Sequence, residues 1–202
     1  MRVTPKQVSL LKTATMAAVL AALATPLQAQ QPAPAGPLRA APSTRATTVV
    51  TLNAPRVQGQ EAPPALTVKI DYGQPHARGR NVPTELASEG TIWRTGANSS
   101  TTLTTETDLT IGGKAVPKGA YSLYTIRENG QYFLIINNNT GQWGTEYDAA
   151  RDLVRVPMRH TTNHEVRESL HIDLVPSTDD PATGVLAISW GTLELSTDWS
   201  AK

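Results

Sequence analysis

Apolar and polar positions along this chain alternate in short runs and never settle into the three-to-four spacing that a long amphipathic helix requires. Runs rich in β-branched and aromatic residues are instead separated by Gly, Pro, Asn and Asp, which is the signature of an all-β protein. The pattern predicts strands at Thr47–Leu52, Leu66–Tyr72, Thr91–Arg94, Thr101–Thr105, Asp108–Ile111, Ala120–Ile126, Gln131–Asn137, Leu153–Pro157, Val166–Val175, Val185–Trp190 and Thr192–Ser196. Two hairpins stand out. Asn129-Gly130 separates two apolar runs and accepts the positive φ angles of a tight turn. The segment "LAISWGTLELS" predicts a second hairpin hinged at Gly191.

Burial can be read from the same pattern. In "YFLII" the apolar residues are continuous, as in a strand covered on both faces. In "LHIDLV" Leu170, Ile172 and Leu174 alternate with His171 and Asp173, as in a strand with one face in water. About ten strands at hairpin spacing predict an antiparallel two-layer β-sandwich of jelly-roll or immunoglobulin-like type. The helical content expected is a turn or two around Tyr147–Arg151.

Composition changes this picture mainly at the N-terminus. Arg2, Lys6 and Lys12 precede an uncharged apolar run, Ala14–Leu23, and small residues follow, so residues 1–29 are expected to be an export leader. That run is shorter than the roughly 20 residues of a spanning helix, and no stable membrane insertion is expected once the leader is removed. Residues 30–44, rich in Pro and Ala, read as a disordered spacer before a single domain at 45–202. There is no cysteine, which rules out a disulfide framework and a lipid-anchored cysteine. The expected location is therefore periplasmic or secreted.

The net charge of +1 owes its sign to the leader. Removing its three basic residues from the 18 in the chain leaves 15 against 17 acidic ones, or about −2. Without a basic run, neither nucleic acid nor an anionic membrane is expected as a partner.

Candidate chemistry gathers in the loops. In "WRTGAN", Gly96 and Asn98 suit a sharp turn, with Trp93 packed inward and Arg94 paired to Asp71 or Asp152. The same atoms also suit a site: Trp93 as a stacking platform, with Arg94 and Asn98 as donors to a carboxylate, phosphate or sugar hydroxyl. His76, Arg78 and Arg80 follow Asp71 and would form an anion-friendly pocket if their loop lies beside Arg94. Trp143, between Gly141 and Gly144, either presents its indole to a ligand or covers the end of the fold.

Other chemistry lacks its motifs. His160 and His164 stand four apart, but the polar residues between them disfavour a helix and no third ligand has matching spacing, so no metal and no cofactor is expected. No nucleophile elbow, phosphate loop or His-Glu-x-x-His motif is present, and "IGGK" reads as a hairpin turn.

The blocks "DYGQPHARGR" (71–80), "IWRTGANSSTTL" (92–103), "IGGKAVPKGAYSLYTI" (111–126) and "GQWGTEYDAARDLVRV" (141–156) together resemble the bacterial family Domain of Unknown Function 2911. The resemblance covers about residues 45–196. It implies an exported β-rich protein and assigns no activity; the chain departs from the family's pattern in "VPTELASEGTIW", just before the Trp-Arg block.

Three functions follow as expectations. The first is an envelope binding module in which Trp93, Arg94, Asn98, His76, Arg80 and Trp143 hold a glycan, peptide or small anionic ligand. The second is a hydrolase-type enzyme using His76, Arg94 and Asp152, which requires those groups to converge on one reacting atom. The third is a structural or assembly protein of the envelope, in which these residues only serve the fold.

Overall fold

The computed structural model describes residues 36, 37 and 39–202. The expected leader, residues 1–29, and residues 30–35 and 38 of the expected spacer lie outside them. Nine strands make up the described chain: β1 Thr44–Leu52, β2 Leu66–Gln74, β3 Thr101–Thr105, β4 Leu109–Ile111, β5 Lys114–Val116, β6 Gly119–Glu128, β7 Gln131–Asn137, β8 Asp152–Pro176 and β9 Thr183–Ala201. All pairings are antiparallel, in the order β1-β2-β3-β6-β7-β8-β9-β4-β5. The chain is therefore all-β, in a single open sheet.

Most strands begin and end where the apolar pattern does, and the exceptions have physical causes. Leu153–Pro157 and Val166–Val175 are parts of one strand, β8, whose intervening residues bulge; its register against β9 shifts between Thr162 and Arg167 and again before His171. Val185–Trp190 and Thr192–Ser196 likewise merge into β9, so the expected hairpin at Gly191 is a bend within one strand. Gly191 has φ +58° and lies opposite Arg167. A bulge and a turn draw on the same conformational freedom of glycine, so sequence alone does not separate them. Thr91–Arg94 is not a strand, although Trp93 exchanges two backbone hydrogen bonds with Thr125 of β6, both 2.8 Å. Gly112-Gly113 does turn the chain, between β4 and the short β5, which was not expected. A single turn at Ala149–Arg151 takes the expected helical place, and a π-type turn at Val82–Leu86 is additional.

The sheet folds over on itself. Tyr72 of β2 accepts from the backbone N–H of Ile172 through its hydroxyl (3.1 Å), Gln74 donates to Leu170 O (2.9 Å), and His76 bridges to Ser169. Side chains of β2 thus serve backbone groups of β8 that have no strand neighbour there. This is compatible with the expected two-layer sandwich, although the hydrogen bonds join all nine strands into one sheet. Between the facing parts lies the main core, which includes Ile70, Leu103, Leu123, Leu134, Ile136, Leu170, Ile172, Leu186 and Ile188, all fully buried.

β6 and β7 are covered on their other face as well, as the unbroken "YFLII" run predicts. Tyr132, Leu134 and Ile136 enter the main core, while Ile135 joins Tyr124 and Ile126 in a smaller cluster on the opposite side. Ile92, Phe133 and Tyr147 complete this second cluster. Two of these, Ile92 and Tyr147, come from the loops that carry the "WRTGAN" and "QWG" blocks. Those loops are therefore anchored to the sheet by apolar contact, which fixes the polar groups they present.

Candidate functional site

The "WRTGAN" block is first a turn. Thr95 and Asn98 both take positive φ, +48° and +62°. For a β-branched residue like Thr95 this is unusual, and the surrounding bonds hold it there. Its fully buried hydroxyl lies 2.7 Å from that of Thr125, and its carbonyl accepts from the Thr101 hydroxyl at 2.9 Å. The turn rests directly on β2: a Cβ at Gly73 would overlap Ala97 O, and one at Gly96 would lie 2.5 Å from Thr101 Oγ1. Backbone here packs on backbone, and only glycine leaves the room.

The turn is also tied to the "QWG" loop. Ser99 bridges to Trp143, Ser100 N donates to Gln142 O (3.1 Å), and Gly144 N donates to Asn98 O (2.9 Å). Gly144 leaves space for Arg94, since a Cβ would stand 2.6 Å from Arg94 Cδ and from Asn98 O. The Asn98 side-chain amide reaches Ser43 O at 3.4 Å.

Trp93 is 6% exposed and stacks on Trp190 of β9, with centroids 5.7 Å apart and planes 22° from parallel. The Trp190 indole N–H donates to Glu168 O at 3.2 Å. These two indoles form part of the wall of a cavity of about 230 Å³, together with Arg80, Arg94, Asn98 and Leu86. The loops after β2 and before β3 thus bring Arg80 beside Arg94. Of the three basic residues in the loop after β2, Arg80 lines this cavity with Arg94, and His76 and Arg78 do not.

Neither arginine spends its charge inside the fold. The expected partners of Arg94 are taken by others: Asp71 pairs with Arg45, and Asp152 with Arg155. Arg94 has only a 3.5 Å approach from Nη1 to Asn98 O, at the limit of a hydrogen bond. Arg80 donates through Nε to Ala77 O and through Nη2 to His76 O, both 2.8 Å, which holds the guanidinium without neutralising it. Among the described residues neither has a carboxylate within ion-pair distance. Arg94 is half-buried and Arg80 exposed, and two guanidiniums on one cavity match the charge and planar geometry of an anionic group.

The remaining candidates lie elsewhere. His76 is exposed and does not line this cavity; its Nδ1 is 2.8 Å from Ser169 Oγ. Trp143 is 50% exposed on the outer side of the "QWG" loop and does not line it either. Asp152 is absorbed by its own network, accepting from Asn137 (2.9 Å), Tyr147 (2.6 Å) and Arg155 (3.2 Å). Burial, and then the bond to Asp152, push the Tyr147 phenol up to about 12. His76, Arg94 and Asp152 are thus not gathered around one cavity. His160 packs against the Tyr132 ring at 5.0 Å, and no group of three metal-ligating side chains converges among the described residues.

Sequence reasoning missed Trp190 and Leu86 as lining residues of this cavity. Trp190 sits in a strand remote in sequence and reads only as core. Nothing local to "ISWGT" signals that its indole faces Trp93; that follows from β9 running behind the loop.

A family model described as "Protein of unknown function (DUF2911)" matches residues 54–198. No curated protein and no solved structure matches the chain.

Proposed function

The chain belongs to the DUF2911 family of proteins of unknown function, and since membership assigns no activity we propose from its loop geometry that it is a binding module of the cell envelope, holding the anionic group of a small ligand. The observation that carries this reading is the cavity in which Arg80 and Arg94, both without a carboxylate partner among the described residues, stand beside the Trp93–Trp190 stack. Arg78 and Arg167 also lack an ion pair among the described residues, and what sets Arg80 and Arg94 apart is that they line one cavity, where together they suit an anion from outside. The N-terminal leader pattern supports an exported location, periplasmic or secreted.

The size of the cavity restricts what enters. Small-molecule pockets run from about 300 Å³ upward, so 230 Å³ admits one anionic group and its neighbouring atoms rather than a whole ligand. Carboxylates of peptides and of acidic sugars have the right charge and the planar geometry that arginine forks match. Each charge-assisted hydrogen bond contributes about 1.5–3 kcal/mol, so losing one guanidinium should weaken binding by about ten- to a hundredfold.

The test is a titration with small carboxylates, uronic acids and phosphate, followed by tryptophan fluorescence and by the shift of the unfolding midpoint. Saturable binding that Arg80→Gln and Arg94→Gln each weaken, with folding unchanged, is expected. Binding of equal strength in the parent and in Arg94→Gln would remove the assignment.

A further inference from the structure

The anion cavity does not stand alone. Arg80 also lines a second cavity of about 310 Å³, which it shares with Glu168, Val166 and Thr192. Arg94, Trp93 and Leu86 also line a third, of about 200 Å³, completed by Ile92, Thr145 and Tyr147. Each alone is at or below the lower limit for a small-molecule site, whereas the three together lie well within the range. Arg80 lines both the first and the second, and Arg94 both the first and the third.

The charges along this row differ in sign. Glu168 of β8 is exposed and has no basic side chain within ion-pair distance among the described residues, although it lines the same cavity as Arg80. One of its oxygens, Oε1, accepts from Arg78 N at 2.8 Å, and its backbone carbonyl accepts from Ala77 N at 2.7 Å and from the Trp190 indole. The carboxylate is therefore held in place beside the second cavity while its charge is left uncompensated. At the other end, Leu86, Ile92 and Tyr147 supply the apolar part of the third cavity's lining, beside Arg94 and Thr145.

We propose that these three cavities form one groove for a short linear peptide, with its ammonium at Glu168, its C-terminal carboxylate between Arg80 and Arg94, and the apolar side chain of its last residue against Leu86, Ile92 and Tyr147. This inference rests on the anion-binding reading of the central cavity and adds the class of ligand. A tripeptide extends about 10 Å, enough to reach from the central cavity into the next. A purely anionic ligand such as an acidic sugar gives Glu168 nothing to pair with and is repelled by it.

The experiment is a calorimetric titration of the protein with the tripeptide alanyl-alanyl-leucine, its N-acetyl form, its C-terminal amide, and acetate. The free peptide is expected to bind at least about tenfold more tightly than either blocked form. Glu168→Gln, which keeps an oxygen for Arg78 N, should abolish the preference for the free amine and leave the preference for the free carboxylate. If N-acetylation and Glu168→Gln change nothing while amidation still weakens binding, the peptide assignment is overturned and the anion site stands. If neither the peptides nor acetate binds, both fall together.

Discussion

Replacing Gly73 by alanine should destabilise the fold more than removing the whole Arg94 side chain. The new methyl group would overlap Ala97 O and stand 2.8 Å from Ala97 C, atoms of a backbone that cannot rotate away. Gly73 is buried in β2, paired to Arg45 of β1 on one side and backed by the turn on the other. Overpacking of this kind costs about 1–3 kcal/mol, against which the reduced freedom of the unfolded chain returns about 0.4–1 kcal/mol. Because backbone rather than side chain must move, the upper part of that range applies, for a net loss of about 2 kcal/mol. Arg94→Ala removes a half-buried stem and one marginal contact, and should cost less than about 1 kcal/mol. In urea, with a slope of about 1–3 kcal/mol per molar, the Gly73 variant should unfold about 1 M earlier and the Arg94 variant near the parent. The reasoning is refuted if Gly73→Ala unfolds with the parent, or if Arg94→Ala loses more than about 2 kcal/mol, which would make the arginine a fold device after all.

Three further outcomes follow from the same contacts. Trp190→Ala removes a buried indole, its stack on Trp93 and its bond to Glu168 O; a loss of about 3–5 kcal/mol is expected, lowering the melting temperature by at least about 6 °C in calorimetry. Gly144→Ala would press on Arg94 Cδ and Asn98 O, so it should weaken anion binding by fluorescence titration beyond any effect on the melting curve. All five tyrosines are raised from the usual phenol range, burial being the first cause in each, with Tyr147 reaching about 12. Native protein should then show less phenolate absorbance near pH 10 than the unfolded chain. Folded tyrosines retain protons that unfolded ones release, so stability is intact below about pH 10 and falls as pH rises above it. Native phenolate absorbance at pH 10 equal to that of the unfolded chain would contradict this.

The strands were legible wherever local pattern alone decides them. Thr101–Thr105 is a β-branched run around Leu103 and Gln131–Asn137 carries a continuous apolar run, and the structure gives both those bounds. Gly191 was not legible, because whether a glycine turns the chain back or merely bends it depends on what lies across the sheet. The site was half legible for a similar reason. Arg80, Arg94, Asn98 and Trp93 announce themselves through residue type and loop position, and one cavity gathers them. Trp143 offered the same local signal and faces solvent instead, while Trp190 and Glu168, on long strands, carried no signal until the sheet's folding placed them behind the loops. The partners first expected for Arg94 show the limit most clearly: Asp71 and Asp152 have the right charge, but Arg45 and Arg155 lie closer on neighbouring strand positions.

On the proposed reading, Arg80 and Arg94 hold an anion from outside the chain. It is tested most directly by titrating the parent and the Arg80→Gln/Arg94→Gln double variant with the same carboxylate-bearing ligands, after showing that both unfold at the same urea concentration. Saturable binding in the parent and a loss of at least about a hundredfold in the variant are expected. Equal binding in both, or a variant that no longer folds, would contradict it.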